Sequence, residues 1–158
     1  MSALPPSAQK VQDALTALGC TAVVREMPAS TRTAADAAAA CGCEQGAIVK
    51  SLVFRGAESG RGVLVLTSGT NRVDEQRLGR ALGEPLERAD ADFVRRATGF
   101  AIGGVPPVGH ATEMRVVMDR DLHTFAEIWA AAGTPKAVFP TTPNELTRLT
   151  GAELRAVT

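Results

Sequence analysis

Two stretches of this 158-residue chain hold residue types suited to chemistry. Lys50 interrupts the apolar run Ala47-Ile-Val-Lys-Ser-Leu-Val-Phe54. An ammonium group among core residues is costly to bury unless it is paired or reaches water in a cavity. Two readings follow. Lys50 either runs its alkyl stem out to the surface, or it stands at the floor of a pocket, placed to meet a phosphate, a carboxylate or a polarised carbonyl. The chain uses lysine sparingly, with Lys10, Lys50 and Lys136 set against fourteen arginines. The second stretch is Gly103-Gly-Val-Pro-Pro-Val-Gly109. Its glycines allow positive φ and close approach to a ligand, and its two prolines stiffen the turn. Such a segment is either a rigid structural turn or a cradle of backbone N–H groups for a carbonyl or oxyanion.

Other chemistries lack their residues. The glycine loop has no Gly-Lys-Ser/Thr ending and is not a dinucleotide fingerprint. There is no Gly-x-Ser-x-Gly elbow, no His-Glu-x-x-His and no recognisable triad. Cys41-Gly-Cys43 is at most half of a zinc site, and Cys20, His110 and His123 supply no second pair at ligand spacing, so reduced thiols and no bound metal are expected.

The elements that must position these stretches follow from periodicity and punctuation. Ser7 opens a helical pattern with Val11, Leu15 and Leu18 on one face, stopped at Gly19. Thr21–Glu26 reads as a strand and Pro28–Arg32 as a loop. Thr33-Ala-Ala-Asp36 has the form of a capping box, and the alanines up to Cys41 make a short helix closed by Gly42. Ala47–Phe54 and Val63–Thr67, separated by the turn Gly56–Gly62, predict a β-hairpin. Their nearly continuous apolar runs predict burial on both faces. Helices are expected at Asp74–Leu82 and from Asp90 or Ala91 to Thr98, then the irregular glycine loop, then a strand at Glu113–Asp119. Thr142-Pro143 starts a last helix carrying Leu146 and Leu149 and ending at Gly151. Phe125–Ala132 has helical propensity, yet Gly133-Thr-Pro135 followed by Ala137-Val-Phe139 also suits a hairpin.

The whole chain bounds these elements. With 45% hydrophobic and 22% charged residues it has the composition of a globular protein, and the mix of helices and strands is expected to form one α+β domain over residues 1–158. Seventeen basic residues balance seventeen acidic ones, which excludes broad non-specific coating of DNA or RNA but allows a local basic patch. No apolar stretch approaches the ~20 residues of a bilayer span. The first residues lack the pattern of a secretion signal, so a cytoplasmic location is expected, with neither membrane nor DNA as partner.

Gln45-Gly-Ala-Ile-Val-Lys-Ser-Leu52, Leu78-Gly-Arg-Ala-Leu-Gly83, Thr98-Gly-Phe-Ala-Ile-Gly-Gly-Val-Pro-Pro-Val-Gly109 and Pro143-Asn-Glu-Leu146 stand in this order along nearly the whole chain. In them the chain resembles the YbaK/EbsC family, free-standing relatives of the editing domain inserted in bacterial prolyl-tRNA synthetases. The resemblance implies a mixed, barrel-like β-sheet surrounded by helices, and it favours the hairpin at Glu127–Phe139. It implies hydrolysis of the ester joining a wrong amino acid to the terminal adenosine of tRNA, without a cofactor and without a strong protein nucleophile. The family's lysine falls on Lys50, and its Gly-x-x-x-Pro loop runs from Gly103 to Pro107 with Gly104 inside it. Lys50, Gly103, Gly104 and Pro107 are therefore the expected catalytic positions. Thr31, Ser51, Val105, Pro106, Gly109 and Ala131 are the expected substrate-binding positions. The implied partners are the acceptor end of mischarged tRNA, with cysteine, alanine or serine on tRNA for proline foremost, and prolyl-tRNA synthetase. A rival reading is a module that binds aminoacyl-tRNA or a synthetase without turnover. A more distant one makes Lys50 a Schiff-base lysine. Relatives carry a small hydroxyl residue or basic residues where this chain has Ala131 and His110-Ala-Thr112.

Overall fold

Helix boundaries follow directly from local chemistry. In the computed structural model, which describes residues 3–158, four helices have a side-chain cap at the start and a left-handed glycine at the end. These are α2 (Ala34–Cys41), α3 (Glu75–Leu82), α4 (Ala91–Thr98) and α5 (Pro143–Thr150). Thr33, Asp74, Asp90 and Thr142 accept the free N–H of Asp36, Arg77, Phe93 and Glu145, each bond stabilising its helix by about 1 kcal/mol. Helix α1 (Pro6–Ala17) instead begins on prolines and buries Ala8, Val11 and Leu15. Leu18, expected on that face, is largely exposed, because the helix has already ended.

The hairpin forms as expected, with β2 (Ile48–Gly56) antiparallel to β3 (Gly62–Ser68). Every residue of β3 is buried, but the expectation for β2 fails at its centre. Lys50, Ser51, Leu52 and Val53 are only half-buried. The cause is the sheet. Strand β2 pairs in parallel with β6 (Ile128–Ala131) at Ile48 and Val49, and antiparallel with β4 (Leu86–Arg88) from Phe54 to Gly56. Between those contacts its second edge has no partner strand.

Eight strands share the sheet. With β1 (Arg25–Glu26), β5 (Arg115–Asp119), β7 (Ala137–Thr141) and β8 (Glu153–Arg155), the order is β1-β7-β6-β2-β3-β5-β8, and β4 lies against β2. It is mixed: β2–β6, β3–β5 and β5–β8 are parallel and the remaining pairs antiparallel. The path is open rather than closed, so the barrel-like curvature does not become a barrel. The fold is α+β, as the expected helices and strands implied.

Ile128–Thr141 is a hairpin, not a helix. Ile128, Trp129, Ala130 and Ala132 are all buried, which a single amphipathic helix face cannot achieve. The strand expected at Thr21–Glu26 shrinks to two residues. Its first part is bonded to α1 instead: Gln12 Nε2 donates to the Ala22 carbonyl at 3.2 Å, and Val24 N–H donates to Gln12 Oε1 at 2.8 Å. The main core joins Val11 and Leu15 of α1 to Leu64, Leu66, Met118, Phe139 and Leu146. A smaller cluster beneath α3 holds Phe54, Val65, Leu78 and Val117. A third, beneath α2, holds Ile48, Trp129 and Val138.

Candidate functional site

The unpaired stretch of β2 is the floor of a groove. Gly56 N–H donates to the Arg61 carbonyl at 2.9 Å, which sets the alternation of the β2–β3 ladder. Counting back by twos, Phe54, Leu52 and Lys50 turn their peptide groups to β3, while Val53 and Ser51 turn theirs away from it. Val49 and Arg55, the next residues of that phase, meet β6 and β4. The N–H and C=O of Ser51 and Val53 thus face the gap. No strand or loop backbone among the described residues takes them.

The glycine loop crosses this gap. Two cavities of about 510 and 400 Å³ share Lys50, Ser51, Leu52, Ile102, Gly103 and Val105 in their walls. They are two lobes of one groove, with the β2 edge on one side and the loop on the other. The lobe toward α3 adds Arg72, Val73, Glu75, Arg88, Ala89 and Val94. The lobe toward α2 is more apolar, with Ala34, Ala37, Ile48, Trp129, Ala131 and Val138, and Thr31 and Arg32 at its edge.

Lys50 Nζ donates to the Asn71 carbonyl at 2.5 Å, which leaves two of its three N–H donors free for a ligand. Burial pushes its pKa below the ordinary 10.5; the Asp119 carboxylate opposes that shift and the Arg72 guanidinium adds to it. Lys50 is half-buried and lines both lobes of the groove.

Only part of the loop faces the groove. Gly103 takes φ +98°, and Gly104 N–H closes a turn on the Ala101 carbonyl at 3.1 Å. The N–H groups of Gly103 and Val105 have no protein acceptor among the described residues. Gly104, Pro106 and Pro107 are buried, and none of them lines either lobe. Gly109 (φ +81°) lies against Ala14 of α1. These four shape the loop from behind. His110 locks its far end, with Nε2 2.6 Å from the Pro106 carbonyl. Burial, the leading cause, holds the His110 pKa below 6.5.

Of the other expected positions, Thr31 and Ala131 line the α2 lobe and Ser51 lines both. Thr31 is pinned by its N–H and hydroxyl to the Pro135 carbonyl, at 2.6 and 3.1 Å. Ser51 Oγ is buried with no hydrogen-bond partner among the described residues. The cysteines stand apart from the groove. Burial, with Cys43 next, pushes the Cys41 thiol up to about 11, and Cys43 is raised too. Both are protonated at neutral pH. Among the described residues no three His, Cys, Asp or Glu side chains are grouped to hold a metal ion, and no helix is long and apolar enough to cross a membrane.

The sequence alone did not single out Arg32, Arg88, Asn71 or Asp119. Arg32 packs along Gly103, and Arg88 reaches the groove through a three-residue strand too short to read from a pattern.

Comparison with known proteins bears on the family and the fold. Residues 28–149 match the family described as aminoacyl-tRNA editing domain. A solved structure of a proposed trans-editing enzyme for prolyl tRNA synthetase superposes with a TM-score of 0.94 at 52% identity, over 99% of both chains. YwhH of Bacillus subtilis, itself uncharacterised, is 32% identical over 123 residues, 78% of each chain. A proline–tRNA ligase of Trichlorobacter lovleyi is 33% identical over 97 residues, which are 61% of this chain and 17% of the ligase.

Proposed function

This chain belongs to the aminoacyl-tRNA editing domain family, and from that membership we propose that it is a deacylase that hydrolyses mischarged tRNA. The observation that carries the reading is the groove itself: Lys50 and two residues with unpaired backbone N–H groups, Gly103 and Val105, line the same gap beside β2. An aminoacyl ester is already activated, so orientation and charge stabilisation suffice. The terminal adenosine and its phosphate enter the α3 lobe, where Lys50, Arg72 and Arg88 supply positive charge. The amino-acid side chain enters the α2 lobe. The ester carbonyl then lies between the loop and the β2 edge, where N–H groups of Gly103 and Val105 stabilise the oxyanion.

Water, activated by the free ribose hydroxyl, attacks the carbonyl carbon. Alternatively, the thiol of a cysteinyl substrate attacks first and water opens the resulting thiolactone. Either route ends with free amino acid and a tRNA whose ribose hydroxyl is restored. Ser51 contacts the substrate rather than attacking it, because no base touches its Oγ.

The apolar walls of the α2 lobe suit uncharged side chains, with cysteine, alanine and serine on tRNA for proline as the leading candidates. Synthetases reject such near-isosteres weakly, since a methylene is worth about 1–3 kcal/mol, and a second hydrolytic site corrects the error. Prolyl-tRNA synthetase is the proposed partner. A panel of mischarged tRNAs incubated with the protein tests the reading. Turnover of one or a few small aminoacyl-tRNAs is expected, and tight binding without turnover would overturn it.

A further inference from the structure

Lys50 donates to the backbone carbonyl of Asn71, and the side-chain amide of the same residue donates to a buried carboxylate outside the groove. Asp119 ends β5 at 1% exposure. Its Oδ2 accepts from Ser68 N–H at 3.0 Å and Asn71 Nδ2 at 2.8 Å, and its Oδ1 accepts from Asp121 N–H at 2.9 Å. Asn71 Nδ2 also donates to Asp121 Oδ2 at 2.8 Å, and Asn71 N–H donates to the Ser68 carbonyl at 2.9 Å. The turn from Ser68 to Asn71 is clamped on its other side as well. Ser68 Oγ donates to the Gly46 carbonyl at 2.6 Å, and Gln45 Nε2 donates to the Gly69 carbonyl at 3.1 Å. The carbonyl that accepts from Lys50 therefore belongs to a residue held by its own N–H and by its side-chain amide.

We infer that Asp119, acting through Asn71, is a positioning residue that sets the place and charge of the Lys50 ammonium. The inference rests on the deacylase reading of the groove. Its chemistry is simple. All three groups facing the Asp119 carboxylate are N–H donors, so three hydrogen bonds sustain the buried charge without a bonded cation. That leaves its negative charge to act on Lys50, and Asn71 carries the geometry. The charged groups near Lys50 are Asp119 at the end of β5, Asp121 beside Asn71, Arg72 after β3, Arg32 at the edge of the α2 lobe, and Glu75 of α3 with Arg88 of β4, which pair at 3.6 Å across the α3 lobe. Without Asp119 the balance near the ammonium shifts toward repulsion. A purely structural Asp119 would support the turn and leave the titration of Lys50 alone.

The test uses the full chain with Asn71→Ala, Asp119→Asn and, as reference, Lys50→Ala. Asn71→Ala keeps the backbone carbonyl and removes the amide tie on a half-buried turn, so it carries the test if Asp119→Asn fails to fold. With mischarged tRNA, kcat is expected to fall about tenfold in Asn71→Ala while KM changes less, the pattern of misorientation. Separately, NMR titration of the three lysines follows Lys50 without any assay, with Lys10 and Lys136 as internal controls. Asp119→Asn is expected to move Lys50, and not the others, to a lower pKa, and to draw the alkaline fall in activity to lower pH. Folded variants with wild-type kcat, or an unmoved Lys50 titration in folded Asp119→Asn, overturn the inference. Full activity in Lys50→Ala instead overturns the role given to Lys50, while the titration still reports whether Asp119 sets its charge.

Discussion

Gly133 N–H donates to the Gly104 carbonyl at 2.8 Å, joining the β6–β7 turn to the glycine loop that roofs the groove. The approach is as close as backbone allows. A Cβ on Gly104 would lie 2.9 Å from Gly133 C and from Thr134 N, and one on Gly133, which takes φ +95°, would lie 2.6 Å from Ser7 O. The same turn presents the Pro135 carbonyl that pins Thr31. One β-turn thus sets the height of the loop above Lys50 and closes the edge of the α2 lobe.

Gly104→Ala should therefore injure the site more than the fold. The atoms it meets are backbone and cannot rotate away, so the loop must lift, at a cost of about 1–3 kcal/mol for overpacking. Deacylation should fall at least about tenfold through the misplaced Gly103 and Val105 donors. Thermal melting and single-turnover rates on the same preparation separate the two effects. A Gly104→Ala variant with wild-type rate would show that the close approach serves stability alone.

The charged form of Lys50 is the active one in this account. Burial holds its pKa below 10.5, so activity should be level near neutrality and decline as pH rises through that depressed value. The sign for stability is opposite. The folded state gives up this proton before the unfolded state does, so the cost of burying the charge is relieved between the folded pKa and 10.5. An alkaline limb in the rate profile, absent from Lys50→Ala, is the expected observation.

His110 follows the same stability rule as Lys50, at lower pH. Its folded pKa lies below 6.5, so the unfolded chain takes up the proton first. The stability contributed by the neutral ring is complete above pH 6.5 and is lost as pH falls through the folded value. His110→Ala should lack this slope in denaturant melts between neutral and mildly acidic pH. It should also slow deacylation through the freed Pro106 carbonyl.

Arg72 and Arg88 are assigned to the nucleic acid rather than to the ester. Replacing either by alanine should raise KM several-fold with kcat retained, and should reduce the dependence of log KM on log salt by roughly 0.7 per lost phosphate contact. Equal salt slopes in wild type and variants would place the acceptor end elsewhere.

Selectivity should follow the walls of the α2 lobe. Ala34→Leu narrows it, so rates on the larger of two mischarged amino acids should fall about tenfold more than on alanine, the scale of discrimination that steric exclusion in an apolar pocket provides. Uniform loss across the panel would mean that the side chain binds outside this lobe.

How far these features were legible depends on the range of the interactions behind them. The caps Thr33, Asp74, Asp90 and Thr142, each with its closing glycine, are decided within one or two turns of chain, and the helices were readable. So was the β2–β3 hairpin. The half-burial of Lys50–Val53 was not, because it depends on where β6 and β4 stop, and no local pattern records that. Thr21–Val24 looked like a strand, but Gln12 of α1 takes its backbone groups. Within the site, Lys50 stood out as a charge in an apolar run, and the loop as a cluster of glycines and prolines. Asp119 looked like any strand-end acid. Its importance comes from Asn71, 48 residues earlier in the chain.

The most direct measurement is a single-turnover deacylation of mischarged tRNA for proline by wild type and by a folded Lys50→Ala variant at neutral pH. The account predicts release of the amino acid by wild type and a rate lower by about 10²–10³ in the variant, the scale of losing one preorganised charge at the reacting centre. Equal rates, or a tRNA that stays charged in the presence of wild type, would contradict it.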